Sequence, residues 1–134
     1  MIDFHFIDKK IIPLKNKVDW LKKIIEREKK QLGDIVFVFC SDSYLLKKNI
    51  QFLKHNTLTD VISFDYSTGT QISGDIIISI DRVKENSKIF DVPFSNELDR
   101  VMTHGLLHLL GYKDKTKKEG VLMRSKENFY LSKQ

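Results

Sequence analysis

The sequence contains one cysteine, Cys40. An intramolecular disulfide is therefore impossible, and a lone thiol inside an apolar run fits a reducing compartment. Long apolar stretches are also missing. The longest, Ile35 to Cys40, is far too short to span a bilayer. No secretory leader is visible, because Asp3 and the alternating Phe4-His5-Phe6-Ile7 read as a strand. Repeats, flexible linkers and low-complexity tracts are absent as well. Together these absences argue against a secreted disulfide scaffold, a membrane span and a disordered chain, and predict a soluble cytoplasmic protein. What is present agrees: 134 residues, 41% hydrophobic and 31% charged, predict one globular domain with a buried core.

The formal net charge is +5, and its distribution is uneven. Residues 111–134 hold seven bases (Lys113, Lys115, Lys117, Lys118, Arg124, Lys126, Lys133) against three acids (Asp114, Glu119, Glu127). Residues 15–30 show the same balance. Basic patches attract polyanions, of which nucleic acid is the commonest. A solvated helix face is the favoured reading for 15–30.

Hydrophobic periodicity predicts the order β-α-β-α-β-β-α-α-α. Strands are expected over 2–8, 35–40, 60–66 and 73–80, with 67–70 a hairpin turn. Helices are expected over 15–32, 43–53, 81–90, from about 95 to 110, and 117–131. Val18, Leu21, Ile24, Ile25 and Leu32 line one side of the first helix, with Glu28 the exception, and Gly33 closes it. Ser41 or Ser43 can cap the second helix and Ser95 the fourth. The apolar 35–40 segment predicts a central strand covered on both faces. The expected fold class is α+β (mixed α/β): a single domain over 1–134, with about five helices on a four-stranded mixed sheet. The first three strands are expected parallel and the last, their hairpin partner, antiparallel.

The most informative stretch is Thr103-His104-Gly105-Leu106-Leu107-His108-Leu109-Leu110-Gly111-Tyr112-Lys113-Asp114. Residues i and i+4 share one helix face, so His104 and His108 can reach a single cation. Gly111 can stop the helix and let the chain turn back, which would bring Asp114 to the same ion. Two nitrogens and one carboxylate oxygen leave a fourth position for water, as a catalytic zinc requires. Zinc lowers the pKa of such a metal-bound water to about 7. Position 105 is glycine, whereas zinc proteases of the H-E-x-x-H type carry their general base there. That chemistry is disfavoured, and no protein side chain stands out as a base. Cys40 could serve as a fourth ligand, although a small buried thiol is the favoured role.

The same stretch resembles the H-G-x-L-H-L-x-G-Y-D-H signature of the YbeY family, metal-dependent endoribonucleases implicated in rRNA maturation. Leu107, Leu109, Gly111 and Tyr112 match it besides the histidines. Upstream, Thr59-Asp60-Val61-Ile62-Ser63-Phe64 and Gly74-Asp75-Ile76 resemble two further family motifs in the same order. Two positions depart: Lys113 stands where the family has Asp, and Asp114 where it has the third histidine. The resemblance implies a single-strand-specific, zinc-dependent endoribonuclease acting on the 3′ end of small-subunit rRNA and in ribosome biogenesis. It implies RNA and ribosome-associated proteins as partners, one Zn2+ as cofactor, and no membrane or nucleotide cofactor. The loop 54–59 resembles the segment lining the substrate groove, where most relatives carry an arginine at the place of Leu53. Lys54 or His55 could handle phosphate instead. Asp60 is a further substrate-side candidate, although a strand-end hydrogen-bonding role is favoured for it and for Asp75. Lys115, Lys117 and Lys118 follow the third ligand and could meet a phosphate chain. Two alternatives stay open, a zinc hydrolase on a non-RNA substrate and a noncatalytic RNA- or ribosome-binding module with a structural metal.

Overall fold

The computed structural model describes residues 1–53 and 59–134. Lys54 and His55 lie outside the described residues. Strands β1 (Ile2–Phe6), β2 (Gln31–Cys40), β3 (Val61–Asp65) and β4 (Gln71–Ser79) form one sheet in the order β1-β2-β4-β3. β1 pairs parallel with β2, β2 parallel with β4, and β3 antiparallel with β4. The antiparallel member is thus β3, and the expectation that β4 would oppose the other strands is corrected. Burial explains the choice. Ile76, Ile77 and Ile78 are all buried and need neighbours on both sides, whereas β3 is only partly buried and ends on the exposed Asp65. β4 therefore takes the slot beside β2, leaving β3 at the edge.

Among the described residues five helices accompany the sheet: α1 (Val18–Arg27), α2 (Asp42–Lys48), α3 (Ile80–Ile89), α4 (Phe94–Leu109) and α5 (Lys117–Leu131). A 3-10 turn at Lys15–Lys17 precedes α1, and a π turn at Asn49–Leu53 follows α2. α1 ends sooner than the stripe through Leu32 predicts. Lys29 adopts φ 60, and Leu32 already pairs with Ile72 in β2, so Gly33 is a strand residue rather than a helix stop. Ser41 caps α2, accepting the Tyr44 backbone N–H at 3.3 Å. Pro93, not Ser95, caps α4: its ring fixes φ at −59, and its carbonyl accepts the Glu97 N–H at 3.2 Å. Thr116 and Glu119 form a capping box at the start of α5.

One face of the sheet carries the main core. Phe4 stacks on Phe37 with centroids 5.7 Å apart, and Phe6 on Phe39 at 4.9 Å. These rings, with Ile76 and Ile78, join Leu21 and Ile24 of α1, Met102 and Leu106 of α4, and Met123 and Tyr130 of α5. The opposite face is covered only in part. Cys40, Leu45, Ile62 and Ile77 form a small second cluster there, while Val36 and Val38 are half-buried. The expectation that β2 is covered on both faces therefore holds only at its C-terminal end. α4 runs very close to the sheet at Gly105, where an added Cβ would stand 2.5 Å from Ile76 Cγ2. Glycine at this position is what lets the histidine-bearing helix seat.

Candidate metal centre

Near its C-terminal end α4 presents His104 and His108 on one face, their rings edge-to-face at 4.7 Å between centroids. Gly111, at φ 101, reverses the chain after the helix, and the Gly111 N–H returns to the His108 carbonyl at 3.1 Å. The reversal brings Asp114 back. Its Oδ2 stands 3.1 Å from His104 Nε2 and 3.4 Å from His108 Nε2, and the two Nε2 atoms are 3.1 Å apart. Among the described residues these three side chains form a group able to hold a metal ion. The sequence-based triad comes together in space.

The other imidazole nitrogens are occupied. His104 Nδ1 donates to Glu127 Oε2 at 2.7 Å, and His108 Nδ1 donates to the Tyr112 carbonyl at 3.0 Å. A carbonyl can only accept, so the His108 proton sits on Nδ1 and the Nε2 lone pair faces inward. Three acceptor atoms converging this closely need positive charge among them, and two imidazoles with a carboxylate suit a divalent metal such as zinc. Hydrogen bonds to the outer nitrogens are the usual means by which metal-binding histidines are oriented. The donor set fits.

Glu127 is a residue the sequence reading missed. It is 4% exposed on α5, and its other oxygen accepts from Arg100 Nη1 at 3.0 Å. Burial alone would raise its pKa, but the His104 and Arg100 hydrogen bonds outweigh this and hold the carboxyl below its ordinary value. Burial likewise disfavours charge on His104. The Glu127 hydrogen bond and charge, with Asp114 and Asp60, nevertheless raise its pKa above the ordinary value. The available signal was spacing: Met123, Glu127 and Tyr130 form the buried stripe of α5, with one charged member.

Two members of the triad, His104 and Asp114, line a cleft of about 300 Å³ together with Asp60, Asn86, Phe90, Glu97, Arg100 and Arg124. Asp60 acts partly as the strand-end group expected of it: its carbonyl accepts from the Ser79 N–H at 2.9 Å, and Asn86 Nδ2 donates to its carboxylate at 3.4 Å. Burial raises its pKa, offset only in part by the charge of His104. Asp75 does not join the cleft; on the open face of the sheet it accepts from the Tyr66 hydroxyl at 3.4 Å. Lys115, Lys117 and Lys118 are exposed and none lines the cleft. Leu53 ends the π turn, 38% exposed. Cys40 is not in the ligand group. Its thiol donates to the Ile78 carbonyl at 3.4 Å, and burial pushes its pKa up to about 12.

Residues 3–134 match the family described as Endoribonuclease YbeY. The chain belongs to this family. Proteins called Endoribonuclease YbeY include one from Flavobacterium psychrophilum that is 54% identical, the match covering 96% of this chain and 92% of that one. Another, from Bacteroides fragilis, is 41% identical over 90% of this chain and 87% of its own length. The solution structure of TM1509 from Thermotoga maritima superposes with a TM-score of 0.70 at 29% identity, covering 98% of this chain and 87% of that one. The resemblance read from the histidine stretch therefore extends to the whole YbeY fold. Among the described residues no helix is long and apolar enough to cross a membrane.

Proposed function

We propose that the chain is a metal-dependent endoribonuclease that cleaves phosphodiester bonds of single-stranded RNA. Its place of action is the cytoplasm, in maturation of the small-subunit rRNA 3′ end and in ribosome biogenesis, with ribosome-associated proteins as partners. The observation that carries this reading is the convergence of His104 Nε2, His108 Nε2 and Asp114 Oδ2 beside a cleft that His104 and Asp114 line, in a chain of the YbeY endoribonuclease family. His104, His108 and Asp114 hold the ion, which we take to be zinc. When bound, it supplies Lewis-acid charge to a phosphoryl oxygen and makes water acidic enough to ionise near neutral pH.

The protein's own contribution is placement. Glu127 and Tyr112 keep protons on the outer imidazole nitrogens, so that both inner nitrogens stay available. Asp60, on the cleft wall, is a polar contact for substrate. Lys115, Lys117 and Lys118 draw the phosphate chain toward Asp114, and Lys54 and His55, which lie outside the described residues, are further phosphate contacts in this reading. Cys40, whose thiol donates to the Ile78 carbonyl, stands outside the ligand group found among the described residues, which speaks against its serving as the fourth ligand of a structural site.

The test joins metal analysis of the purified protein to cleavage of a single-stranded RNA with and without chelator. Cleavage is expected to stop on chelation, return with zinc, and be lost in His104→Ala and Asp114→Ala. Asp114→His should retain the metal. Undiminished cleavage after complete metal removal would overturn metal dependence, and failure of the metal-loaded protein to cut RNA would overturn the RNA assignment.

A further inference from the structure

A second depression of about 270 Å³, with Val92 and Asn96 in its wall, adjoins the cleft that holds the ligand triad. Phe90, Glu97, Arg100 and Arg124 line both. Two of these four are already committed or hidden. Arg100 spends its guanidinium on Glu127 at 3.0 Å and on Asn128 at 2.9 Å, and Glu97 is only 4% exposed. The other two are open. Arg124 has a side chain 58% exposed, and its ion pair with Glu127 Oε1 is long, 3.6 Å, to an oxygen that already accepts from Arg100. Phe90 follows the last turn of α3, 56% exposed, with no ring contact among the described residues.

A single exposed aromatic is ordinary on a protein surface. Phe90 differs because it borders the same two depressions as a guanidinium with donors to spare, at the junction leading away from the ligand triad. Single-stranded nucleic acid is held by this combination, a cation for the backbone and a ring for the base. We propose that Phe90 and Arg124 form a nucleotide subsite beside the metal centre, with Arg124 engaging a phosphate adjacent to the one at the triad and Phe90 stacking on the base. The subsite rests on the RNA reading above. Stacking needs only a π face, so the subsite accepts any base and lends the cleft affinity for strand form rather than for sequence. A base held in a duplex has its faces covered by neighbours and cannot be received.

The test measures binding of a short labelled 2′-O-methyl oligonucleotide, verified intact, to the purified protein across a salt series. Arg124→Gln is expected to flatten the slope of log affinity against log salt by about 0.7, the value for one single-strand phosphate contact. Lys23→Gln, which removes the same charge from an exposed position of α1, should leave the slope unchanged. Phe90→Ala should keep the slope and weaken binding about 5- to 140-fold, the range that stacking free energies convert to. Phe90→Trp should retain affinity. On an oligonucleotide whose bases are removed, Phe90→Ala should bind like the unaltered protein, a result that mere structural damage would not give. If the unaltered protein fails to bind RNA, the RNA reading falls and the subsite with it. If it binds, but Arg124→Gln and Phe90→Ala keep its affinity and slope, the subsite alone is overturned. An equal flattening by Lys23→Gln would also overturn the Arg124 contact.

Discussion

The Tyr112 hydroxyl donates to Glu28 Oε1 at 2.6 Å, fastening the turn that carries Asp114 to the C-terminal end of α1. Tyr130 of α5 donates to the other oxygen of the same carboxylate, and Lys126 lies 3.5 Å away. The charged interruption in the apolar stripe of α1 is therefore the point where three elements are joined. Because the Tyr112 carbonyl also accepts from His108, this fastening bears on the orientation of one member of the candidate metal triad.

Burial raises the pKa of Glu28, but the Tyr112 and Tyr130 hydrogen bonds and the Lys126 charge overcome it, leaving the carboxyl below its ordinary value. A depressed folded-state pKa contributes stability that is present above the unfolded value and lost as pH falls through the folded one. Urea unfolding should thus show stability falling as pH drops below about 4.5, and Glu28→Gln should reduce that fall while lowering stability at pH 7 by about 1–3 kcal/mol. An identical pH profile in the variant would dismiss Glu28 as the junction.

Glu127→Gln keeps the size of the side chain but removes the charge that holds His104 Nδ1–H. Loss of such an orienting partner typically costs about 10–100-fold in metal affinity. Chelator competition on the folded variant should reveal a loss of that order, with His104, His108 and Asp114 all intact. Unchanged affinity would mean that the contact does not orient the ligand.

Gly105→Ala sets two effects against each other. Alanine gains about 1 kcal/mol in helix propensity, whereas overpacking a core costs about 1–3 kcal/mol. The close approach to Ile76, which is fully buried, decides for net destabilisation. A lower urea midpoint is expected. A midpoint equal to or above that of the unaltered protein would show that α4 can lift off the sheet at no cost.

Lys115, Lys117 and Lys118 are exposed just after Asp114. Their joint replacement by Gln should weaken binding of unrelated single-stranded RNAs alike and flatten the salt slope by up to roughly 2, at about 0.7 per contact. Metal content should not change. A salt series with unaltered slope would place these lysines on a solvated face away from the substrate.

The candidate triad was legible in the sequence because its geometry is local. His104 and His108 are related by the pitch of one helix, and Gly111 announces the reversal that returns Asp114. Glu127 was not legible as a partner. It lies on another helix, and only the docking of α5 on α4 brings it to His104. Its one sign, a charge among Met123 and Tyr130 in an otherwise apolar stripe, is shared with Glu28 at the end of α1. The hairpin was legible from its turn, but not which of its strands would stand beside β2. That depends on the relative burial of Ile76 to Ile78 and of Val61 to Asp65, a tertiary competition that local pattern does not express. Arg124, counted only among the bases of residues 111–134, and Arg100, which no local pattern singled out, meet in the cleft through the same docking.

His104 is gripped from α5 through Nδ1 while its Nε2 faces Asp114, so cation binding and the seating of α5 share one side chain. The two equilibria are linked. A cation at a hundredfold its dissociation constant adds about 2.7 kcal/mol to the state that binds it, and that state is the one with the C-terminal helix docked. Amide exchange along α5 should therefore slow as metal concentration rises, while the strands beneath keep their protection. The last helix of the chain thus serves as a latch whose tightness is set by the occupancy of the site it helps to build.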